Sequence, residues 1–261
     1  MVTFPSEDDL SITADFYPTT SRTRAPIIAS FHQASWSRGD YREIAPRLQE
    51  LGFQALAVDQ RSGNAVHGVT NLTAQRANPA HLGTAFTDAL PDLRAALKHA
   101  RSLTSGPILG WGSSYSSALI LKVAAEDSDL ADGVLSFSPS EYFPDRQLIQ
   151  KAVVQLTVPT FITSARSEAN NHASIVSKIP TETPVTTYRS ITTGRHGSSA
   201  LWMATQDSET TWSEVEAFLA PFLVTPPSAP GLSLTSSELN VHPGTATQLL
   251  AQVSYDRRLA L

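Results

Sequence analysis

The segment Ile108-Leu-Gly-Trp-Gly-Ser-Ser-Tyr-Ser-Ser-Ala-Leu-Ile-Leu121 carries the strongest structural signal in this chain. Its apolar start and its small and aliphatic continuation are typical of a buried strand that enters a helix through a sharp turn. Residues 112–116 fit the pattern G-x-S-x-G with serine at the last position, and Ser114 takes the central place. Small neighbours are needed there because strand and helix pack closely and the central residue is strained. The segment predicts a nucleophilic serine at Ser114 and assigns packing roles to Ser113, Ser116 and Ser117.

Apolar periodicity on both sides of this segment predicts further strands and helices in alternation. Strand-like runs occupy residues 10–17, 26–31, 53–58, 133–138, 159–164 and 184–189. Helical spacing occupies residues 42–51, 84–102, 115–125 and 211–223. Strand and helix in alternation predict an α/β fold, with a mostly parallel central sheet and helices on both faces. Residues 64–82 show little periodicity, and we expect a long loop there, beside the site.

Composition excludes several functional classes. The chain has 261 residues and 41% hydrophobic content, enough for one α/β domain, which we place at residues 1–223. A proline-rich linker and a peripheral tail, with a short helix at 246–259, are expected at 224–261. A net charge of −5 without a basic stripe argues against a nucleic-acid partner. Cysteine is absent, which excludes disulfides and a cysteine nucleophile.

The sequence also predicts a cytoplasmic protein without a membrane partner. No apolar run approaches the roughly 18 residues that a membrane span needs. The first ten residues lack the basic and then apolar pattern of a signal peptide.

A serine nucleophile needs an imidazole within hydrogen-bond reach, and His196 is the best placed of the seven histidines. It follows the last predicted strand, in a turn between Gly194 and Gly197. His32 directly follows a central strand, and we expect it to orient the neighbouring loop. The other histidines are scattered without metal-ligand spacing, so neither a metal nor a cofactor is expected; they are His67, His81, His99, His172 and His242.

Taken together, four motifs in order resemble the α/β-hydrolase superfamily, and within it compact dienelactone-hydrolase-like serine esterases without a large cap domain. The motifs are Phe31-His-Gln-Ala34, Asp59-Gln-Arg-Ser-Gly63, Gly112-Ser-Ser-Tyr-Ser116 and Gly194-Arg-His-Gly197. The sequence departs from the family pattern at three places. Gln33 and Ser116 replace glycines, and Ser167 stands where an aspartate is usual, one place before Glu168.

The resemblance implies a triad in the order serine, acid, histidine, which makes Glu168 the candidate acid because it follows the run 159–164. Glu141 or Asp145, after the previous strand, remain alternatives. The oxyanion hole is expected from the backbone N–H groups of Tyr115 and Ala34, with Gln33 close behind Ala34.

The resemblance implies hydrolysis of short-chain or small-molecule carboxylic esters through an acyl-enzyme intermediate, by a monomer or weak homodimer. Residues 139–158 leave no room for a helical cap, which favours an open site. Two alternatives stay open. One is acyl transfer or C–C bond hydrolysis on the same triad, and the other is an inactive binding module with this fold.

Overall fold

The computed structural model describes residues 1–20 and 23–223. The linker and tail expected at 224–261 lie outside the described residues, as does the helix expected at 246–259. The division of the chain at residue 223 therefore stays a prediction.

A twisted sheet of eight strands forms the centre of the domain, in the order β1-β2-β4-β3-β7-β8-β9-β10. Strands β1 and β2 form an antiparallel edge hairpin, β2 pairs antiparallel with β4, and the remaining neighbours pair parallel. This arrangement confirms the predicted mostly parallel sheet. Within the described residues the strands, including the separate hairpin β5–β6, are β1 (Val2–Pro5), β2 (Ser11–Tyr17), β3 (Ile27–Phe31), β4 (Gln54–Asp59), β5 (Ala65–Val66), β6 (Val69–Thr70), β7 (Ile108–Ser113), β8 (Gly133–Phe137), β9 (Thr160–Ser164) and β10 (Val185–Arg189).

Helices cover both faces of this sheet, as predicted. They are α1 (Ile44–Glu50), α2 (Leu72–Ala77), α3 (Leu90–Leu103), α4 (Tyr115–Glu126), α5 (Leu148–Ala152), α6 (Ala173–Val176) and α7 (Ser208–Leu219). One core cluster joins the sheet to α3 and α4 through side chains such as Leu97 and Leu119. The other joins it to α1 and α7 through Leu48 and Trp212. Every residue of β3, β4, β7, β8 and β9 is buried, which explains their continuous apolar runs.

The long loop expected at residues 64–82 is the part of the fold where the sequence prediction is wrong. The hairpin β5–β6 and helix α2 occupy most of it. Asn71 caps α2 by accepting a hydrogen bond from Ala74 N–H at 2.8 Å, and Thr73 Oγ1 accepts one from Thr13 N–H at 2.9 Å. Strands of two residues leave no periodic signal, so the pattern of the sequence does not reveal them.

The connection between β8 and β9 holds only α5 and a short 3-10 turn. No large cap domain is inserted there, as predicted. Within residues 1–20 and 23–223 no helix has the length and apolar character required to cross a bilayer.

Candidate active site

Ser114 lies at the turn between β7 and α4, in a left-handed backbone conformation with φ of 61° and ψ of −124°. A residue other than glycine rarely adopts this conformation, and such strain concentrates at functional sites. Gly112 allows the turn, because a Cβ at that position would lie 2.4 Å from Ser117 Cα. The close approach of strand and helix therefore requires the glycine, and it presents Ser114 at the carboxyl edge of the sheet.

Ser116, which stands in place of the last glycine of the motif, has a bonding role that glycine lacks. Its hydroxyl donates to Phe31 O at 2.7 Å, with Ser113 O also in range at 2.9 Å, and accepts from Ser113 N–H at 2.9 Å. These contacts tie the turn to the end of β3, where the predicted oxyanion loop begins.

His196 and Glu168 meet at the same edge of the sheet. Glu168 lies four residues beyond the end of β9, and its Oε1 is 2.7 Å from His196 Nδ1. Burial would raise the pKa of Glu168, but hydrogen bonds from His196 and Ser138 hold it below its ordinary value. Glu168 is therefore ionised at neutral pH, and it fixes the imidazole with Nε2 directed away from the carboxylate.

Ser138, which the sequence analysis did not single out, supports this pair. Its hydroxyl donates to Glu168 Oε2 at 2.8 Å and accepts from Gly197 N–H at 2.9 Å. Ser138 therefore joins Glu168 to the histidine turn, by which we mean residues 194–198 around His196. Ser138 directly follows β8 and has a left-handed φ of 59°. The sequence signal that could have identified Ser138 is its position as a polar residue directly after the central strand β8.

The histidine turn is anchored on β7, next to Ser114. Ser198 N–H donates to Ser113 Oγ at 2.9 Å, and the Trp111 indole donates to Ser198 Oγ at 2.9 Å. The His196 side chain is 38% exposed. Among the described residues no hydrogen bond joins its ring to Ser114; the hydrogen bond of the ring is the one between Nδ1 and Glu168. Catalytic hydrogen bonds are often long in ligand-free enzymes and tighten with substrate.

The alternative acids are engaged elsewhere. Glu141 accepts hydrogen bonds from the backbone N–H groups of Ile149 at 3.1 Å and Gln150 at 2.8 Å, and so caps α5. Asp145 pairs with Lys151 Nζ at 2.9 Å. In this structure the carboxylate in contact with His196 is that of Glu168.

The two predicted oxyanion donors come from different segments of the chain, Tyr115 directly after Ser114 and Ala34 in the turn after β3. Tyr115 N–H is at the first residue of α4, where the helix dipole adds positive potential. Ala34 belongs to a turn closed by Trp36 N–H and Gln33 O at 3.3 Å, with Ser35 at a φ of 64°. Neither N–H has a hydrogen-bond acceptor among the described residues, so both are free to hold a developing negative charge.

His32 has the orienting role that its position predicts. Its ring is fully buried, and burial lowers its pKa to about 4, so it is neutral. Nδ1 donates to Gln33 O at 2.8 Å, which leaves Nε2 to accept from the Asn71 amide at 3.1 Å. The bond from Nδ1 holds the Gln33 carbonyl, which also accepts the Trp36 N–H that closes the turn at Ala34. As for metals, the described part of the chain contains no group of three or more His, Asp or Glu side chains placed to bind one.

A strained serine between a central parallel strand and a helix, with a histidine and a carboxylate after later strands, is the arrangement of the α/β-hydrolase fold. Solved structures share this fold with the chain. Dienelactone hydrolase from Anabaena variabilis matches with 15% identity and a TM-score of 0.62, over 85% of this chain and 97% of that one.

Two further structures match equally well. Est1E from Butyrivibrio proteoclasticus, in complex with ferulic acid, matches with 13% identity and a TM-score of 0.63, over 85% of this chain and 99% of that one. A thermostable carboxyl esterase from Bacillus coagulans matches with 11% identity and a TM-score of 0.62, over 85% of this chain and 98% of that one. The chain thus has the α/β-hydrolase fold in a compact, dienelactone-hydrolase-like form. No family model matches the sequence, and neither does any curated protein.

Proposed function

We propose that this chain is a serine hydrolase that cleaves carboxylic esters through an acyl-enzyme intermediate. The observation that carries the proposal is the 2.7 Å pair of Glu168 and His196 beside a serine held at a φ of 61°. A serine hydroxyl is a weak nucleophile and requires an oriented imidazole to take its proton. A carboxylate–imidazole contact that served only to stabilise the fold would not require a strained serine next to it.

The site residues would then act in sequence. Ser114 Oγ attacks the ester carbonyl carbon while His196 Nε2 takes the hydroxyl proton, and Glu168 stabilises the imidazolium through Nδ1–H. Tyr115 and Ala34 N–H groups hold the oxyanion. Collapse of the tetrahedral intermediate breaks the bond to the alcohol oxygen, which takes the proton from Nε2. Water then repeats the cycle on the acyl-enzyme and releases the acid.

Short-chain or small-molecule esters are the proposed substrates, because within the described residues no cap domain between β8 and β9 encloses a long acyl channel. Structures with this fold include a carboxyl esterase and a protein bound to ferulic acid, which supports ester chemistry. We further propose that the protein needs no cofactor and works as a monomer or weak homodimer.

The test is a rapid-mixing experiment with p-nitrophenyl acetate. An acyl-enzyme mechanism predicts a burst of nitrophenolate near one equivalent of protein, followed by slower turnover. Ser114→Ala should abolish the burst, and Ser136→Ala, a buried serine of β8, should retain it. A burst that persists in Ser114→Ala would remove the assignment. Faster turnover of the palmitate than of the acetate would refute the preference for short chains, and transfer of the acyl group to an added alcohol in place of water would favour acyl transfer.

A further inference from the structure

A buried hydroxyl group that the mechanism above does not use lies between two loops of the candidate site. It belongs to Tyr41, the last residue of a 3-10 turn at Arg38–Tyr41, and the side chain is 1% exposed. The hydroxyl donates to Phe31 O at 2.7 Å and lies 3.3 Å from Ser198 Oγ. Phe31 ends β3, directly before the loop with the predicted oxyanion donor Ala34, and Ser198 belongs to the histidine turn. Tyr41 thus contacts two loops that are far apart in the chain.

The neighbours of these hydroxyl groups fix the direction of every hydrogen bond between them. The Trp111 indole nitrogen can only donate, and it donates to Ser198 Oγ at 2.9 Å. The Phe31 carbonyl can only accept, so the Tyr41 proton is directed at it. Ser198 therefore uses its own proton on the Tyr41 oxygen. The result is one chain of donors from Trp111 through Ser198 and Tyr41 to Phe31, which we call the hydroxyl chain.

The hydroxyl chain lies in the interior of the protein, and each of its four residues is at most 1% exposed. Hydrogen bonds in such a chain strengthen one another, and loss of one member leaves another buried polar group unpaired. The Tyr41 ring meets the Trp111 ring edge-on, at 6.4 Å and 86°. Burial also raises the pKa of Tyr41 well above its ordinary value, so the hydroxyl keeps its proton. The hydroxyl chain is therefore a neutral link of fixed geometry.

Both ends of the hydroxyl chain are bound to the turn that carries Ser114. Ser116 Oγ donates to the same Phe31 carbonyl at 2.7 Å. At the other end, Ser198 N–H donates to Ser113 Oγ at 2.9 Å. The end of β3, the serine turn and the histidine turn are thus joined to one another, and the Tyr41 hydroxyl connects the first of them to the last.

A second contact holds the 3-10 turn against the segment that follows His196. The Trp202 indole N–H donates to the Asp40 carbonyl oxygen at 3.0 Å. Asp40 directly precedes Tyr41, and Trp202 lies four residues after the histidine turn. Two hydrogen bonds therefore join these segments, and the one made by Tyr41 continues to β3.

We propose that Tyr41 is a positioning residue for the ester hydrolysis proposed above, whose hydroxyl sets the distance between the histidine turn and the loop that carries Ala34. This inference rests on the proposed function. During attack His196 has to reach the Ser114 proton while the Ala34 N–H meets the oxyanion, so both loops must be held in place around the serine. Tyr41 touches neither the substrate nor the reacting atoms, and its own proton stays on the hydroxyl.

The first experiment compares the turnover of p-nitrophenyl acetate by wild type and by Tyr41→Phe, which keeps the ring and removes the hydroxyl. A shift of about 1 Å in a catalytic group can cost about 10²-fold, and for a partly released turn we expect kcat to fall about tenfold. KM should stay unchanged, because the loss concerns the placement of the reacting groups and not the binding of the ester.

The matched control is Thr104→Val, which removes another buried hydroxyl that links a donor to a carbonyl. Thr104 Oγ1 accepts from Gly106 N–H at 2.9 Å and donates to Ala25 O at 2.8 Å. It lies before β7, at the edge of the sheet opposite to Ser114. Both variants should lower the melting temperature, because each leaves buried polar groups unpaired. Thr104→Val should nevertheless keep the wild-type kcat, so a fall confined to Tyr41→Phe reports positioning and not stability.

A double-mutant cycle tests whether the effect passes through the hydroxyl chain. Ser198→Ala breaks the chain on the other side of Tyr41 and should lower kcat by a similar factor. The double variant should lose no more than the larger single loss, because residues that act as one unit are not additive. Losses that multiply, or a Tyr41→Phe kcat equal to that of wild type, would overturn the proposal. If Tyr41→Phe does not fold, Ser198→Ala decides, and an unchanged kcat in that variant would overturn it.

Amide hydrogen exchange followed by nuclear magnetic resonance separates the two proposals, since it needs no turnover. The Ser198 amide, bonded to Ser113 Oγ, should exchange faster in Tyr41→Phe than in wild type, while the Val134 amide of β8 should not change. If the protein shows no ester turnover but the Ser198 amide responds in this way, the proposed function fails and the positioning by Tyr41 stands. If esters are turned over and Tyr41→Phe alters neither kcat nor this exchange, the positioning fails and the proposed function stands.

Discussion

Two carboxylates of this protein, Asp92 and Glu168, are each held by a basic side chain. The two pairs differ in whether that basic side chain keeps a nitrogen free for another partner. Arg61 is 3% exposed and uses its guanidinium on Asp92 at 2.6 Å and on Asp8 at 2.6 and 2.7 Å. His196 is 38% exposed and uses only Nδ1 for Glu168. The Arg61 cluster is closed, whereas the His196 pair keeps a second nitrogen available at the surface.

This difference distinguishes a cluster that can only stabilise the fold from a pair that can take part in acid–base chemistry. A guanidinium does not lose its proton in a protein, so the Arg61 cluster has no acid–base function. It joins the β1–β2 turn, through Asp8, to α3, through Asp92, and hydrogen bonds from Arg61 lower the pKa of Asp8 to about 2. An imidazole does exchange its proton near neutral pH. We therefore expect the carboxylate of the closed cluster to stabilise the fold and that of the open pair to serve the proposed reaction.

Glu168→Gln should break the open pair with the largest effect. We expect kcat for p-nitrophenyl acetate to fall about 10³- to 10⁴-fold, as loss of the triad acid does in serine hydrolases, with little change in the melting temperature. The matched control is Glu141→Gln, which removes a cap of α5 and should keep its kcat. If instead Glu168→Gln is fully active and Glu141→Gln is not, the acid lies after β8.

Asp92→Asn should have the opposite profile. Removal of one partner from a buried ion pair leaves the other charge uncompensated and lowers the free energy of unfolding by about 3–5 kcal/mol. Urea denaturation measures this loss. In Asp132→Asn the exposed pair with Arg101 is lost, but the amide oxygen can still accept from Ile108 N–H, and the expected change is at most about 1 kcal/mol. A kcat of folded Asp92→Asn far below that of wild type would contradict the division of roles.

Asp40→Asn sharpens the comparison, because Asp40 is buried as deeply as Asp92 but forms no ion pair with any of the described residues. Its pKa of about 7 lies above the ordinary value, so the folded protein holds a proton that the unfolded chain releases. Wild-type stability from this group is present below about pH 4 and is lost as pH rises through 7. Asn does not titrate. The melting temperature of Asp40→Asn relative to wild type should therefore rise from pH 5 to pH 8, and a flat difference would contradict the raised pKa.

Ser116→Gly should have the smallest effect. It restores the glycine usual at the end of the serine motif but removes the hydroxyl contacts to Phe31 O and the Ser113 backbone. Glycine is also unfavourable inside a helix. Together these changes predict a loss of about 1–2 kcal/mol in unfolding free energy and a modest fall in kcat. A variant as stable as wild type would show that the serine has no bonding role.

The sequence was sufficient to propose Ser114, Glu168 and His196, and the structure brings the last two into contact beside the first. The reason is geometric. Parallel strands end at one edge of the sheet, so residues that follow β7, β9 and β10 converge there although they are far apart in the chain. The turn at Ser114 is also encoded locally, because its small residues and its strain belong to one short segment.

The supporting residues were not predictable in this way. Tyr41 lies in a polar segment, and its burial depends on contacts with Phe31 and Ser198. Ser138 matters because Glu168 and Gly197 arrive beside it from distant strands. Such roles depend on tertiary contacts that no local pattern contains.

The central claim is that Ser114 is an activated nucleophile, and covalent labelling with a fluorophosphonate tests it most directly. Mass spectrometry of the digested protein should find one phosphonyl group per chain, on Ser114. Labelling should be lost in Ser114→Ala and should be strongly slowed in His196→Ala. A wild-type protein that resists the reagent, or that carries the group on another residue, would contradict the account.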